Sequence, residues 1–163
     1  MTKKAVLISI RPKWCELIAS GKKTVEIRKT RPKLETPFKV YIYATKAAND
    51  EPFSYTIQKN YDAPGERTYR YSCGGEVIGE FVCDRIDDIM ISCSDPNIRG
   101  IPVQGTGLTD REIMDYIGNG KTGFSWHISD LVTCNKPKKL SEFNLKRPPQ
   151  SWCYVEEVSH DNQ

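Results

Sequence analysis

A chain of 163 residues, 38% apolar and 28% charged, is long enough to bury one sizeable core without metal or disulfide staples. No apolar run approaches the roughly 20 residues a helix needs to cross a bilayer, so no membrane span is predicted. The formal charge of +3 is unevenly placed: residues 1–40 hold eleven Lys or Arg against three acids, the remainder thirteen against eighteen. Such asymmetry is a footprint of a polyanion-binding face, and equally of solubilising lysines scattered over separate surfaces.

Residues Ala5-Val6-Leu7-Ile8-Ser9-Ile10 read as a first strand, apolar and β-branched. With the basic start they superficially suggest a signal peptide, but the run stops at Arg11-Pro12-Lys13 with no small-residue cleavage site, and a cytoplasmic protein is expected. A helix follows, with Pro12 in its first turn, Trp14, Leu17 and Ile18 on one face, and Gly21 just past its end. A second strand runs from about Thr24 to Lys29. Pro32 and Pro37 bracket the connection to a third, Lys39 to Thr45, where Val40, Ile42 and Ala44 alternate with Tyr41, Tyr43 and Thr45.

Residues 46–73 form a polar excursion with Pro52, Pro64 and Gly65, holding a helix or a hairpin that the sequence does not specify. Its Tyr55, Tyr61, Tyr69, Tyr71, Arg67 and Arg70 suit a lid or contact loop. The fourth strand, Gly75 to Cys83, runs on toward Ile86, and Gly79 within it predicts a bend or a close backbone approach. A Pro- and Gly-rich loop spans Ser94 to Gly107. Thr109-Asp110-Arg111-Glu112 is a capping box opening a short helix through Met114, Tyr116 and Ile117, ended by Gly118 and Gly120. Phe124 to Ser129 and Trp152 to Val155 complete the strands.

Five or six strands with two or more flanking helices and no βαβ rhythm predict an α+β fold, a small mixed β-barrel. No repeat or boundary divides the chain, so residues 1–163 are expected to form a single domain, with excursions near 46–73 and 94–107. The six cysteines lack CxxC spacing and sit mostly among apolar neighbours, as free thiols of a reducing compartment do. His127 and His160 have no partners in ligand spacing, so neither a metal nor a cofactor is expected.

Gly21-Lys22-Lys23-Thr24-Val25-Glu26-Ile27-Arg28 is the most informative stretch. Val25 and Ile27 can enter a core while Thr24, Glu26 and Arg28 share the opposite face beside a tight turn carrying Lys23. A cation, a carboxylate and a guanidinium in one patch suit a phosphate, a base edge or a polar amide. A solvated strand face has the same pattern.

These residues resemble the ASCH domain family of the PUA-like superfamily, whose signature GxKxxExR is filled by Gly21, Lys23, Glu26 and Arg28. The opening strand before a Pro-started helix, Tyr41-Ile42-Tyr43-Ala44-Thr45, Gly75 to Phe81 and Pro148 to Tyr154 resemble further family blocks in the same order. The resemblance implies a PUA-like barrel, of the kind found in bacterial or phage-like proteins, that binds RNA or a modified nucleoside. The ligand would lie in a cleft lined by Lys23, Glu26 and Arg28, with Tyr43 or Trp126 stacking on a base. Trp126 suits the core equally. A monomer needing no membrane or metal partner is expected.

Two alternatives stand beside this reading. Small bacterial relatives resemble amidohydrolases of acetylated cytidine, in which a Lys, a Thr and a Glu are assigned to catalysis. Lys23 matches the Lys, Glu26 stands where the Thr would be, and Glu80, or less well Glu76, is the candidate carboxylate. A ribonuclease would need a Lys and a Tyr near a phosphate. A third class is a non-catalytic interaction module whose Glu26–Arg28 network locks helix to barrel.

Overall fold

The computed structural model describes residues 2–46, 53–58, 66–71, 74–91 and 104–159, the stretches 53–58 and 66–71 by their backbone. The first strand, β1 (Lys4–Ile10), is buried from Ala5 to Ile10 because both of its faces are covered. Val6, Ile8 and Ile10 enter one core cluster, while Ala5 and Leu7 enter another. Helix α1 (Pro12–Ala19) starts on Pro12, whose ring presets φ and whose missing N–H is one the first turn leaves unused. Ser20 caps its end, and Gly21 at φ +76° turns the chain into β2 (Val25–Arg28).

The third strand, β3 (Phe38–Ala44), lies parallel to β1, with Val6 opposite Val40 and Ile10 opposite Ala44. The chain therefore contains a parallel crossover that the sequence reading did not anticipate. Strands β4 (Phe53–Gln58) and β5 (Glu66–Tyr71) form an antiparallel hairpin inside the first excursion. The contact-loop side chains expected there lie outside the described residues, as do residues 94–103 of the second excursion.

Strands β6 (Glu76–Met90) and β7 (Thr122–Lys138) are three times the length of an ordinary strand, and their ladder shifts register at Val77/Gly79, Glu80/Val82 and Cys83/Ile86. Each shift bends and twists the pair, so the sheet curls. Gly79 sits at the first of them, where a Cβ would meet Val132 O at 2.8 Å, which is the close approach its position predicts. A short 3-10 helix (Leu140–Phe143) precedes β8 (Trp152–Glu156). The sheet order is β2-β7-β6-β3-β1-β8.

The fold is α+β, with six strands in one sheet, but the barrel expectation holds only in part. Edge strands β2 and β8 share no ladder. Side chains join them instead: Trp152 Nε1 donates to Thr30 Oγ1 at 3.0 Å, and Lys33 N donates to Tyr154 OH at 2.8 Å. The chain leaving the four-residue β2 carries Pro32 and Pro37, which have no N–H to offer a ladder.

Helix α2 (Asp110–Ile117) has both bonds of its capping box: Glu112 N donates to Thr109 Oγ1 at 3.2 Å and Thr109 N to Glu112 Oε2 at 2.8 Å. Thr109→Ala should therefore cost about 1 kcal/mol of stability in chemical denaturation. Ile113 and Ile117 pack with Ile27, Ile89 and Ile91 in a third cluster on the far side of β2. Cys15, Cys83 and Cys153 are free thiols, while Cys73 and Cys93 lie outside the described residues. Among the described residues no helix is long and apolar enough to cross a membrane.

Candidate functional site

Strand alternation sends Val25 and Ile27 toward α2 and leaves Glu26 and Arg28 on the opposite face of β2. That face is not solvated. Lys23 is 3% exposed, Glu26 7% and Arg28 9%. Three charged side chains thus share a buried position, which requires that they compensate one another.

Lys23 leaves the turn after α1 and points inward. Its ammonium donates to Thr106 O at 2.6 Å and Val25 O at 2.8 Å, lies 3.3 Å from Glu26 Oε2, and sits 5.4 Å from the Trp14 ring centre. The segment it meets is docked by backbone as well: Thr24 N and Val25 N both donate to Gly105 O, at 2.7 and 3.0 Å. Gly105 and Gly107 take φ of +81° and +73°, and a Cβ on Gly105 would collide with Thr24 Oγ1. Only glycine lets this segment lie so close to the motif strand. Lys23 thereby ties the turn to the 104–108 segment.

Arg28 Nε donates to Glu26 Oε1 at 3.0 Å, Nη2 to Ser9 O at 2.8 Å and Nη1 to Ser151 Oγ at 3.2 Å. A guanidinium carries five N–H groups, so two remain. Glu26 Oε2 is buried with no hydrogen bond; the Lys23 ammonium balances its charge without hydrogen-bond geometry. Among the described residues the network is therefore incomplete at one acceptor and two donors.

These groups form the floor of a cleft of about 630 Å³. Arg11, just before α1, and Trp14 on it border the cleft, with Tyr116 and Glu112 from α2 and Gln150 and Ser151 from the chain entering β8. Tyr116 is 40% exposed; burial raises its phenol pKa, with Arg28 pulling it down and Glu26 pushing it up. Cys15, on the buried face of α1, is held as the neutral thiol, chiefly by burial and then by Glu26. It is no nucleophile.

The ASCH domain model matches residues 8–94, more than half of the sequence, and includes the whole motif. The chain belongs to the ASCH domain family. Among solved structures, the ASCH protein of Zymomonas mobilis superposes with a TM-score of 0.63 at 20% identity, covering 92% of this chain and 86% of that one. Its tyrosine-to-phenylalanine mutant gives 0.64 at 20% identity over 93% and 90%, and its serine-to-alanine mutant 0.63 at 19% over 92% and 87%. At such identity the likeness speaks for the fold. No curated protein matches the chain significantly.

The ASCH motif residues converge, but three other expected site residues of this ASCH chain lie elsewhere. Tyr43 is buried with Tyr41, Val77 and Phe143 in the second core cluster. Trp126 is fully buried against Phe38 and Trp152, at centroid distances of 6.0 and 5.9 Å. Glu80 sits on β6 opposite Tyr41, 3.2 Å from Lys39, and does not border the cleft. Both aromatic walls, Trp14 and Tyr116, were missed as site residues. Leu108, Glu112, Tyr116, Gln150 and Ser151, five of the thirteen residues that line the cleft, lie beyond the ASCH-matched span. Among the described residues no cluster of His, Cys, Asp and Glu suits a metal.

Proposed function

We propose that this ASCH protein binds RNA or a nucleoside by taking one base into the cleft over Glu26 and Arg28. The observation that carries this reading is the buried Glu26 Oε2 without a hydrogen bond, beside a guanidinium with two N–H groups to spare. Base edges place donors and acceptors on adjacent atoms, so one planar group can give a proton to Oε2 and accept from Arg28. Trp14 and Tyr116 supply apolar walls on which a base stacks. The volume falls within the range of small-ligand pockets. The architecture is then a PUA-like barrel closed by side chains between β2 and β8, working as a single domain in the cytoplasm.

The amidohydrolase alternative is less well supported. Lys23 donates to Thr106 O and Val25 O and its charge faces Glu26, while Glu80 is absent from the cleft lining. The test is a fluorescence titration of wild type, Glu26→Gln and Arg28→Lys with the four common nucleosides and short single-stranded RNA. Glu26→Gln replaces one acceptor oxygen with a donor, and should weaken base binding about tenfold or more. Unchanged affinity in both variants would remove the base-recognition role.

A further inference from the structure

Each of the two aromatic walls of the cleft carries a lysine ammonium on its ring. Lys13, exposed on α1, rests its ammonium 4.7 Å from the Trp14 ring centre, and the exposed Arg11 borders the cleft beside it. Lys29, exposed just past β2, rests its ammonium 5.0 Å from the Tyr116 ring centre. No carboxylate among the described residues pairs with Arg11, Lys13 or Lys29. Glu112, which feels the charge of Lys13, is committed to the capping box.

We infer that the cleft takes an internal nucleotide of a single strand, with one flanking phosphate on Arg11 and Lys13 and the other on Lys29. The inference rests on the base-binding reading above and deepens it. An exposed ammonium on an aromatic face is weakly held. A base that stacks on that face displaces it, and the freed ammonium then lies within a side chain's length of the ligand's own phosphate. Cations on one wall would suit a mononucleotide. Cations on both walls suit a chain that enters on one side and leaves on the other.

The experiment compares nucleosides, their 5′-monophosphates and the four homotrinucleotides by calorimetry across a salt series. Wild type, Arg11→Gln/Lys13→Gln, Lys29→Gln and Glu26→Gln are used, each checked for folding. For wild type, the trinucleotide should bind at least about tenfold tighter than the nucleoside at low salt, with a log–log salt slope near −0.7 per phosphate held. Each rim variant should flatten that slope by about one phosphate. Three results would overturn the inference: equal affinity for nucleoside and trinucleotide, a monophosphate binding as tightly as the trinucleotide, or a salt slope untouched by the rim variants. The first leaves base recognition standing. Trinucleotide binding that follows the rim variants and ignores Glu26→Gln would instead keep the phosphate track and sink base recognition.

Discussion

Lys23→Met should lower stability by about 3–5 kcal/mol, the cost of removing one partner from a buried ion pair. Methionine keeps an apolar stem beside Trp14, so the loss isolates the ammonium. Thr106 O and Val25 O lose their donor, and Glu26 is left with Arg28 alone. For a chain of this size each kcal/mol moves Tm by roughly 2–4 °C, so a fall of about 6–20 °C is expected. The effect is also local. Lys23 and the Gly105 carbonyl together fasten the 104–108 segment that leads into α2, so amide exchange in 104–117 should speed up before the β6–β7 ladder does. Lys23→Arg should not restore the loss, because a planar guanidinium does not fit a site built around one ammonium at 2.6 and 2.8 Å from two carbonyls. A loss below about 1 kcal/mol would place Lys23 among ordinary exposed lysines and refute the tie.

The motif strand was legible because a two-residue period assigns faces: Val25 and Ile27 are on one side, Glu26 and Arg28 on the other, as the sequence reads. What covers a face is not written in that period. The charged side of β2 is sealed by residues about eighty positions later, whose only local mark is Gly105-Thr106-Gly107 in a loop already rich in glycine. The capping box at Thr109 and the stop at Gly118 were legible for the opposite reason, since their bonds close within a few residues. Tyr43 shows the intermediate case. Its alternation with Ile42 is visible, but which face meets the cleft depends on β3 lying parallel to β1, a pairing no local pattern records. Trp14 was legible as part of the packed helix face. That its helix end borders the site follows from α1 lying in the crossover between β1 and β3.

Glu26→Ala should be at least as damaging as Lys23→Met, because the carboxylate faces both cations. Removing it leaves Lys23 and Arg28 buried with no counter-charge near, again about 3–5 kcal/mol. On its own this cannot separate recognition from architecture, since a network that only locks α1 and the 104–108 segment to the sheet would fail in the same way. The triple substitution Lys23→Met/Glu26→Leu/Arg28→Met separates them. With no charge left uncompensated, apolar replacements of similar volume are often neutral or stabilising by about 1–4 kcal/mol. Against that, Ser9 O loses the Arg28 N–H, and Thr106 O and Val25 O lose the Lys23 ammonium, at about 1–3 kcal/mol for each acceptor left buried. The terms oppose, and the triple variant is used as the binding test once its melting curve shows that it still folds cooperatively. It should nonetheless have lost base binding, because the open acceptor and the spare N–H groups are gone. A triple variant that folds and still binds as wild type would assign the motif to architecture alone. One that folds and fails to bind would mean that the charges are kept, at a cost to stability, for the ligand they meet.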